Sequence, residues 1–186
     1  HRLAKYFTSS TLLYLEYILT YAVGLFFMEV LKCGVGRLRP HFIAHCDVDW
    51  DKVDCKTNPS AYIEADAIVC KGTPKHERSS RTSFPSGHTL AAVFFWCWLV
   101  VYVRGVARVI DSSPLRGIRN LLVALGTAWM LFTAVTRVTD YWHHPTDVMA
   151  GATIALLLAY PVFSRRLSIN TAFERREVST PKVNFE

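Results

Sequence analysis

The chain has 186 residues, 51% of them hydrophobic, with a mean hydropathy of +0.20 and a formal net charge of +6. That composition is too apolar for an ordinary soluble domain and points to several membrane spans in one domain. The basic residues lie in short clusters beside apolar runs and form no single stripe, which argues against a nucleic-acid partner and for membrane flanks and an anionic substrate.

The chain opens on His1-Arg2 and runs straight into an apolar stretch that does not resemble a cleavable signal peptide, so it reads as a fragment. A spanning helix needs roughly 20 mainly apolar residues. Four segments approach that length: Thr11–Leu31, Thr89–Val103, Ile118–Thr136 and Val148–Phe163, the second and fourth gaining a turn from their neighbours. The expected fold is therefore all-α, an integral-membrane helical bundle with four transmembrane helices in residues 1–164. Glu16 and Glu29 in the first span are expensive in hydrocarbon and are expected to face protein or an interface. Between the first two spans lies a polar loop, Phe42 to Ser83, and residues 165–186 read as a mobile C-terminal tail.

Charge orients the spans, because cytoplasmic flanks carry an excess of Lys and Arg. The link between spans two and three carries +3 (Arg104, Arg108, Arg116 and Arg119 against Asp111) and the tail after Ser164 carries +2, whereas the Phe42–Ser83 loop carries −1. Tail and link are expected in the cytoplasm and the loop outside or in a lumen. Cys46, Cys55 and Cys70 all fall in that loop, where a disulfide can persist, and Cys46–Cys55 is the expected pair. Cys33 and Cys97 lie in or beside apolar helices and read as packing residues.

Three polar clusters fall at span ends on one predicted face. Lys32, Arg37, Arg39 and Pro40 close span one, Phe84-Pro85-Ser86-Gly87-His88 opens span two, and Arg137 with His143, His144 and Asp147 lies between spans three and four. Guanidinium forks suit phosphate oxygens. Free N–H groups after Pro85-Ser86-Gly87 make an anion site, with Gly87 allowing close approach and Ser86 adding a hydroxyl. Two histidines supply a nucleophile and a proton donor without a metal, and Asp147, four residues after His143, is placed to orient it. Taken singly, each feature has a plainer meaning: snorkelling anchors for the basic residues, an N-cap for Ser86. The clustering favours a site.

The same residues resemble the signatures of the type 2 phosphatidic acid phosphatase superfamily: Lys32, six residues, then Arg39-Pro40; Pro85-Ser86-Gly87-His88; and Thr136-Arg137, five residues, His143, three residues, Asp147. Gly36-Arg37-Leu38-Arg39-Pro40-His41-Phe42 and the run Asp140 to Val148 look most like the animal lipid phosphate phosphatases. The resemblance implies six spans, two of them before His1, and a metal-independent phosphatase with no cofactor. It makes His143 the nucleophile, Asp147 its orienting partner and His88 the general acid, with Lys32, Arg39, Arg137, Ser86 and Gly87 binding phosphate. The implied substrates are phosphatidate, lysophosphatidate, sphingosine 1-phosphate and ceramide 1-phosphate, met at the exoplasmic or lumenal face. The plasma membrane is the expected location, with the endoplasmic reticulum or Golgi as alternatives, and a homo-oligomer is compatible with the sequence. Thr136, where the family usually has Ser, keeps the hydroxyl. The superfamily's transferase and haloperoxidase branches fit less well, as does a non-catalytic scaffold, because His88, His143 and Asp147 are all present.

Overall fold

A computed structural model describes residues 2–53, 68–109 and 113–179. It is helical, and the one β feature among the described residues is an isolated antiparallel bridge between Val48 and Cys70. The elements are α1 (Arg2–Val35), α2 (Phe42–Cys46), a 3₁₀ turn (Trp50–Lys52), α3 (Pro74–Ser80), α4 (Gly87–Val109), α5 (Ser113–Thr139) and α6 (Pro145–Ser179). All four expected spans are present within α1, α4, α5 and α6. Their apolar portions, Ser10–Val35, Gly87–Val106, Ser113–Thr139 and Pro145–Arg166, contain 26, 20, 27 and 22 residues, enough to cross a bilayer. Helices satisfy their backbone hydrogen bonds internally, as hydrocarbon demands. Large side chains such as Leu19 (69% exposed), Phe132 (67%) and Leu157 (69%) stand on the outside, as they do where lipid is the solvent.

Two sequence expectations change. The segment after Ser164 does not leave the helix, since α6 continues to Ser179 with Pro161 inside it. The Phe42–Ser83 loop is also not without structure. It contains α2 and α3, the latter started by Pro74, whose ring fixes the backbone angle that a first helical residue needs.

The described residues divide into two compact units. One comprises His1–Gly24, Leu90–Leu131 and Thr153–Glu186. Its buried residues include Leu13, Leu90, Phe94, Val101, Ala155, Ala159 and Phe163. Trp96 donates its indole N–H to Thr127 Oγ1 at 2.9 Å, and Trp98 stacks on Tyr102. Glu16 is answered by Arg166, whose Nε and a terminal nitrogen reach the two carboxylate oxygens at 2.9 and 2.6 Å. The expectation that this acid faces protein holds. A cavity of about 330 Å³ beside this pair, lined by Glu16, Pro161, Val162, Arg165 and Arg166, contains none of the residues singled out above as a site.

The other unit comprises Leu25–Thr89 and Phe132–Ala152. Its small core is Phe42, Cys46 and Val48, with Leu38, Val53, Ile68 and Cys70 packed against it. Cys46 is disulfide-bonded to Cys70, not to Cys55 as expected, and Cys55 lies outside the described residues. The reason is local. Asp49 N–H donates to the Val69 carbonyl, and Lys71 and Gly72 N–H donate to the carbonyls of Asp47 and Cys46, which brings the two Cα atoms within 4.8 Å. A Cβ on Gly72 would stand 2.6 Å from the His45 carbonyl oxygen, so only glycine permits this approach.

Candidate active site

Every residue proposed for the site falls in this second unit. Lys32 lies in the last turn of α1, which ends in a left-handed Gly36 (φ 58°) whose N–H donates to the Lys32 carbonyl at 3.2 Å. Beyond it, residues 37–39 run beside residues 80–83. Arg39 N–H donates to the Ser80 carbonyl at 2.8 Å, and Ser83 N–H to the Arg37 carbonyl at 2.9 Å. The His144 ring nitrogen Nε2 meets the Leu38 carbonyl at 3.1 Å. Three segments distant in sequence are thereby fastened, two by backbone hydrogen bonds and the third through the His144 ring.

At the start of α4, Ser86 has the plain role of a cap. Its Oγ accepts from Thr89 N–H at 3.4 Å and shares a hydrogen with Thr89 Oγ1 at 3.0 Å, so it caps the helix. Its own N–H donates to the Asp147 carbonyl at 3.0 Å, tying α4 to α6. A Cβ on Gly87 would stand 2.5 Å from Met28 Sδ and 3.7 Å from Lys32 Nζ, so a side chain there must displace the end of Met28. His88 is exposed in the first turn.

The link between α5 and α6 is folded back on α5. His143 N–H donates to the Arg137 carbonyl at 2.9 Å. α6 then starts at Pro145, with His144 as its cap residue. Asp147, in the first turn, reaches back to accept the His144 N–H through Oδ2 at 2.9 Å, the carboxylate half of a capping box. The same oxygen accepts the Ser83 hydroxyl at 2.5 Å, and Oδ1 accepts from an Arg37 terminal nitrogen at 2.7 Å. Asp147 is fully buried, and three donors satisfy its charge.

His143 is also buried, at 3% exposure. Its Nδ1 lies 2.7 Å from the Ser83 carbonyl oxygen. A carbonyl can only accept, so Nδ1 carries the hydrogen and the Nε2 of the neutral ring keeps its lone pair. Burial, then the positive charge of Arg39, lowers the pKa of this imidazole from 6.5 to about 4. The Ser83 hydrogen bond and the charge of Asp147 oppose that shift without cancelling it.

The cationic side chains complete the site. Burial and the neighbouring Arg137 lower the Arg39 pKa, and Arg39 lies over the Trp142 ring at 4.9 Å. Its guanidinium remains a cation. The Nε–H groups of Arg39 and Arg137 are both buried and unpaired, a costly condition for two donors unless a ligand meets them. Arg137 has Asp140 at 3.6 Å and Lys32 has Glu29 at 2.9 Å, while Arg39 has no carboxylate within salt-bridge distance among the described residues. Lys32, Arg39 and Arg137 all act electrostatically on His88, and His88 acts on His143. The structure therefore brings together Lys32, Arg39, Gly87, His88, Arg137, His143 and Asp147. Thr136 spends its hydroxyl on the Thr133 carbonyl at 3.0 Å, a bond that serine could make equally well.

One expected contact differs. Asp147 Oδ2 lies 3.8 Å from His143 Nδ1, beyond hydrogen-bond distance, and the Ser83 carbonyl takes the expected place. Ser83, the anchoring part of Arg37 and the bracing part of His144 are absent from the sequence reading of the site. Ser83 stands just ahead of Phe84-Pro85-Ser86-Gly87-His88, and that adjacency is the only signal that could have found it.

Four helices long and apolar enough to cross a membrane, with a buried histidine and two unpaired guanidinium Nε–H groups near their ends, define a helical membrane protein. Residues 13–169 match the model of the PAP2 superfamily, and the chain belongs to that superfamily. It is 32% identical over 155 residues to phospholipid phosphatase 1 of Rattus norvegicus, covering 81% of this chain and 52% of the relative. With phospholipid phosphatase 2 of Homo sapiens it shares 36% identity over 138 residues, 74% of this chain and 45% of the relative. With a putative phosphatidate phosphatase of Drosophila melanogaster it shares 36% over 140 residues, 72% of this chain and 36% of the relative. The chain thus spans about half the length, or less, of these curated relatives. No solved structure gives a significant match.

Proposed function

We propose that the protein containing this chain hydrolyses lipid phosphate monoesters through a phosphohistidine on His143. The observation that carries this reading is the buried, neutral His143, with Nδ1 committed to the Ser83 carbonyl, in one cluster with the unpaired Nε–H groups of Arg39 and Arg137. Nε2 attacks phosphorus, the P–O bond to the lipid breaks, and His88 gives its proton to the departing alkoxide. Water, deprotonated by His88, then cleaves the N–P bond and returns inorganic phosphate and free His143. Lys32, Arg39 and Arg137, with the N–H groups at the start of α4 past Gly87, bind the phosphoryl oxygens and stabilise their charge in the transition state. Asp147 orients the site through the frame it caps.

The relatives' names, phospholipid phosphatases and a putative phosphatidate phosphatase, support a lipid phosphate substrate; the substrates proposed are phosphatidate, lysophosphatidate, sphingosine 1-phosphate and ceramide 1-phosphate, with the diacyl or sphingoid body held in the bilayer. The charge asymmetry of the flanks supports an exoplasmic or lumenal site and a cytoplasmic tail from residue 165. Phosphate release from a panel of these lipids by the complete protein in detergent, with and without chelator, tests the reading. Turnover that survives excess EDTA and disappears in His143→Ala is expected. Loss in EDTA with restoration by Mg²⁺ contradicts it.

A further inference from the structure

Ser83 is fully buried, and its carbonyl and hydroxyl are both committed to the surroundings of His143. Its carbonyl accepts the His143 Nδ1 hydrogen at 2.7 Å, and its hydroxyl donates to Asp147 Oδ2 at 2.5 Å. That carboxylate oxygen is the one 3.8 Å from Nδ1, so it is the acceptor that competes for the same hydrogen. We propose that Ser83 is a positioning residue, whose carbonyl fixes the His143 tautomer and whose hydroxyl, with Arg37 on the other oxygen, holds the Asp147 carboxylate just short of the imidazole.

The proposal rests on the hydrolytic reading of this site, and its logic is differential stabilisation. A carboxylate bonded directly to Nδ1–H would stabilise an imidazolium in the resting enzyme and so withdraw the nucleophile. Held at 3.8 Å, Asp147 still favours positive charge on the ring as the Nε2–P bond forms, without fixing a proton on Nε2 beforehand. No proton leaves Nδ1 in that step. The charged groups that act on His143 are Arg39 from the residues after α1, His88 from α4 and Asp147 from α6, with Ser83 the neutral member. Arg37 and the His144 N–H act on it through Asp147.

The test is the pH dependence of kcat/KM for one lipid phosphate with the complete protein. The substrate's own ionisation is common to all variants, so any difference between them belongs to the enzyme. Ser83→Ala keeps the carbonyl and removes the hydroxyl. It should move the acid limb upward by about one pH unit, a loss of about twofold at pH 5 that approaches tenfold only below about pH 4, relative to pH 8. Ser83→Thr, which restores a hydroxyl, should return the limb toward its original position. If Ser83→Ala does not accumulate, Ser83→Cys keeps the volume, offers only a weak donor and should move the limb the same way. An unmoved limb in either variant, with a loss uniform across pH, overturns the positioning role while leaving the hydrolytic reading intact. A wild-type protein without turnover on any lipid phosphate overturns both.

Discussion

His143 and Asp147 stand four residues apart, yet Nδ1 and Oδ2 are separated by 3.8 Å, and each group has other partners: the Ser83 carbonyl for the imidazole, and Ser83 Oγ, His144 N–H and Arg37 for the carboxylate. Asp147 is thus the knot of a frame before it is a partner of His143. Asp147→Ala should leave three donors unmet, one of them a cation, and cost about 3–5 kcal/mol. Thermal unfolding in detergent measures it. A change under about 1 kcal/mol would show that the frame does not depend on this carboxylate.

The unpaired Nε–H groups of Arg39 and Arg137 predict that the guanidinium plane matters as well as the charge. Arg39→Lys and Arg137→Lys should each lower kcat/KM by about 10²- to 10³-fold, because an ammonium cannot reproduce the fork. Competitive inhibition by inorganic phosphate should weaken in parallel. Lysine variants with near-native phosphate inhibition would reduce these residues to membrane anchors.

A side chain at Gly87 has nowhere to go while Met28, itself 5% exposed, keeps its position. Gly87→Ala should therefore depress activity by displacing Met28 and, one turn away on α1, Lys32. Adding Met28→Ala should recover much of it. Activity assays on the single and double variants decide this, and a double variant no better than the single one would place the glycine requirement in the backbone's contact with phosphate.

His143 should remain the neutral species well below the pH at which a free histidine protonates, since its pKa is lowered from 6.5 to about 4. The sign follows directly. The unfolded chain binds this proton at higher pH than the folded chain, so folding loses stability as pH falls from about 6.5 toward 4 and loses no more from this group below that. Thermal melts of wild type and His143→Gln across this window check it, and the difference between the two melting temperatures should narrow at the acidic end.

Much of this arrangement could be read from the chain alone, for identifiable reasons. Spans and their ends are written in local composition, and Lys32, Arg39, His88, Arg137, His143 and Asp147 declare themselves by charge and spacing beside those ends. Pairings that join distant segments do not. Nothing near Ser83 says that its carbonyl meets a ring 60 residues later, and nothing in the spacing of Cys46, Cys55 and Cys70 says that backbone bonds around the Val48–Cys70 bridge select Cys70. The continuation of α6 to Ser179 was obscured because the apolar pattern stops near Ser164, whereas helix propensity in Arg165, Arg166 and Leu167 does not.

His88 separates the acid role from the binding role. Its loss should cost about 10² to 10⁴ on an alkyl phosphate, whose alkoxide needs a proton to leave, and far less on an aryl phosphate. Equal losses on the two substrates would confine His88 to binding.

The most direct measurement is covalent. Complete protein is mixed with a lipid phosphate labelled at phosphorus, quenched within a turnover and assayed for acid-labile, base-stable phosphate, in wild type, His88→Ala and His143→Ala. The mechanism predicts label on a His143 peptide in wild type and none in His143→Ala. Label that persists in His143→Ala, or maps to another residue, would contradict it.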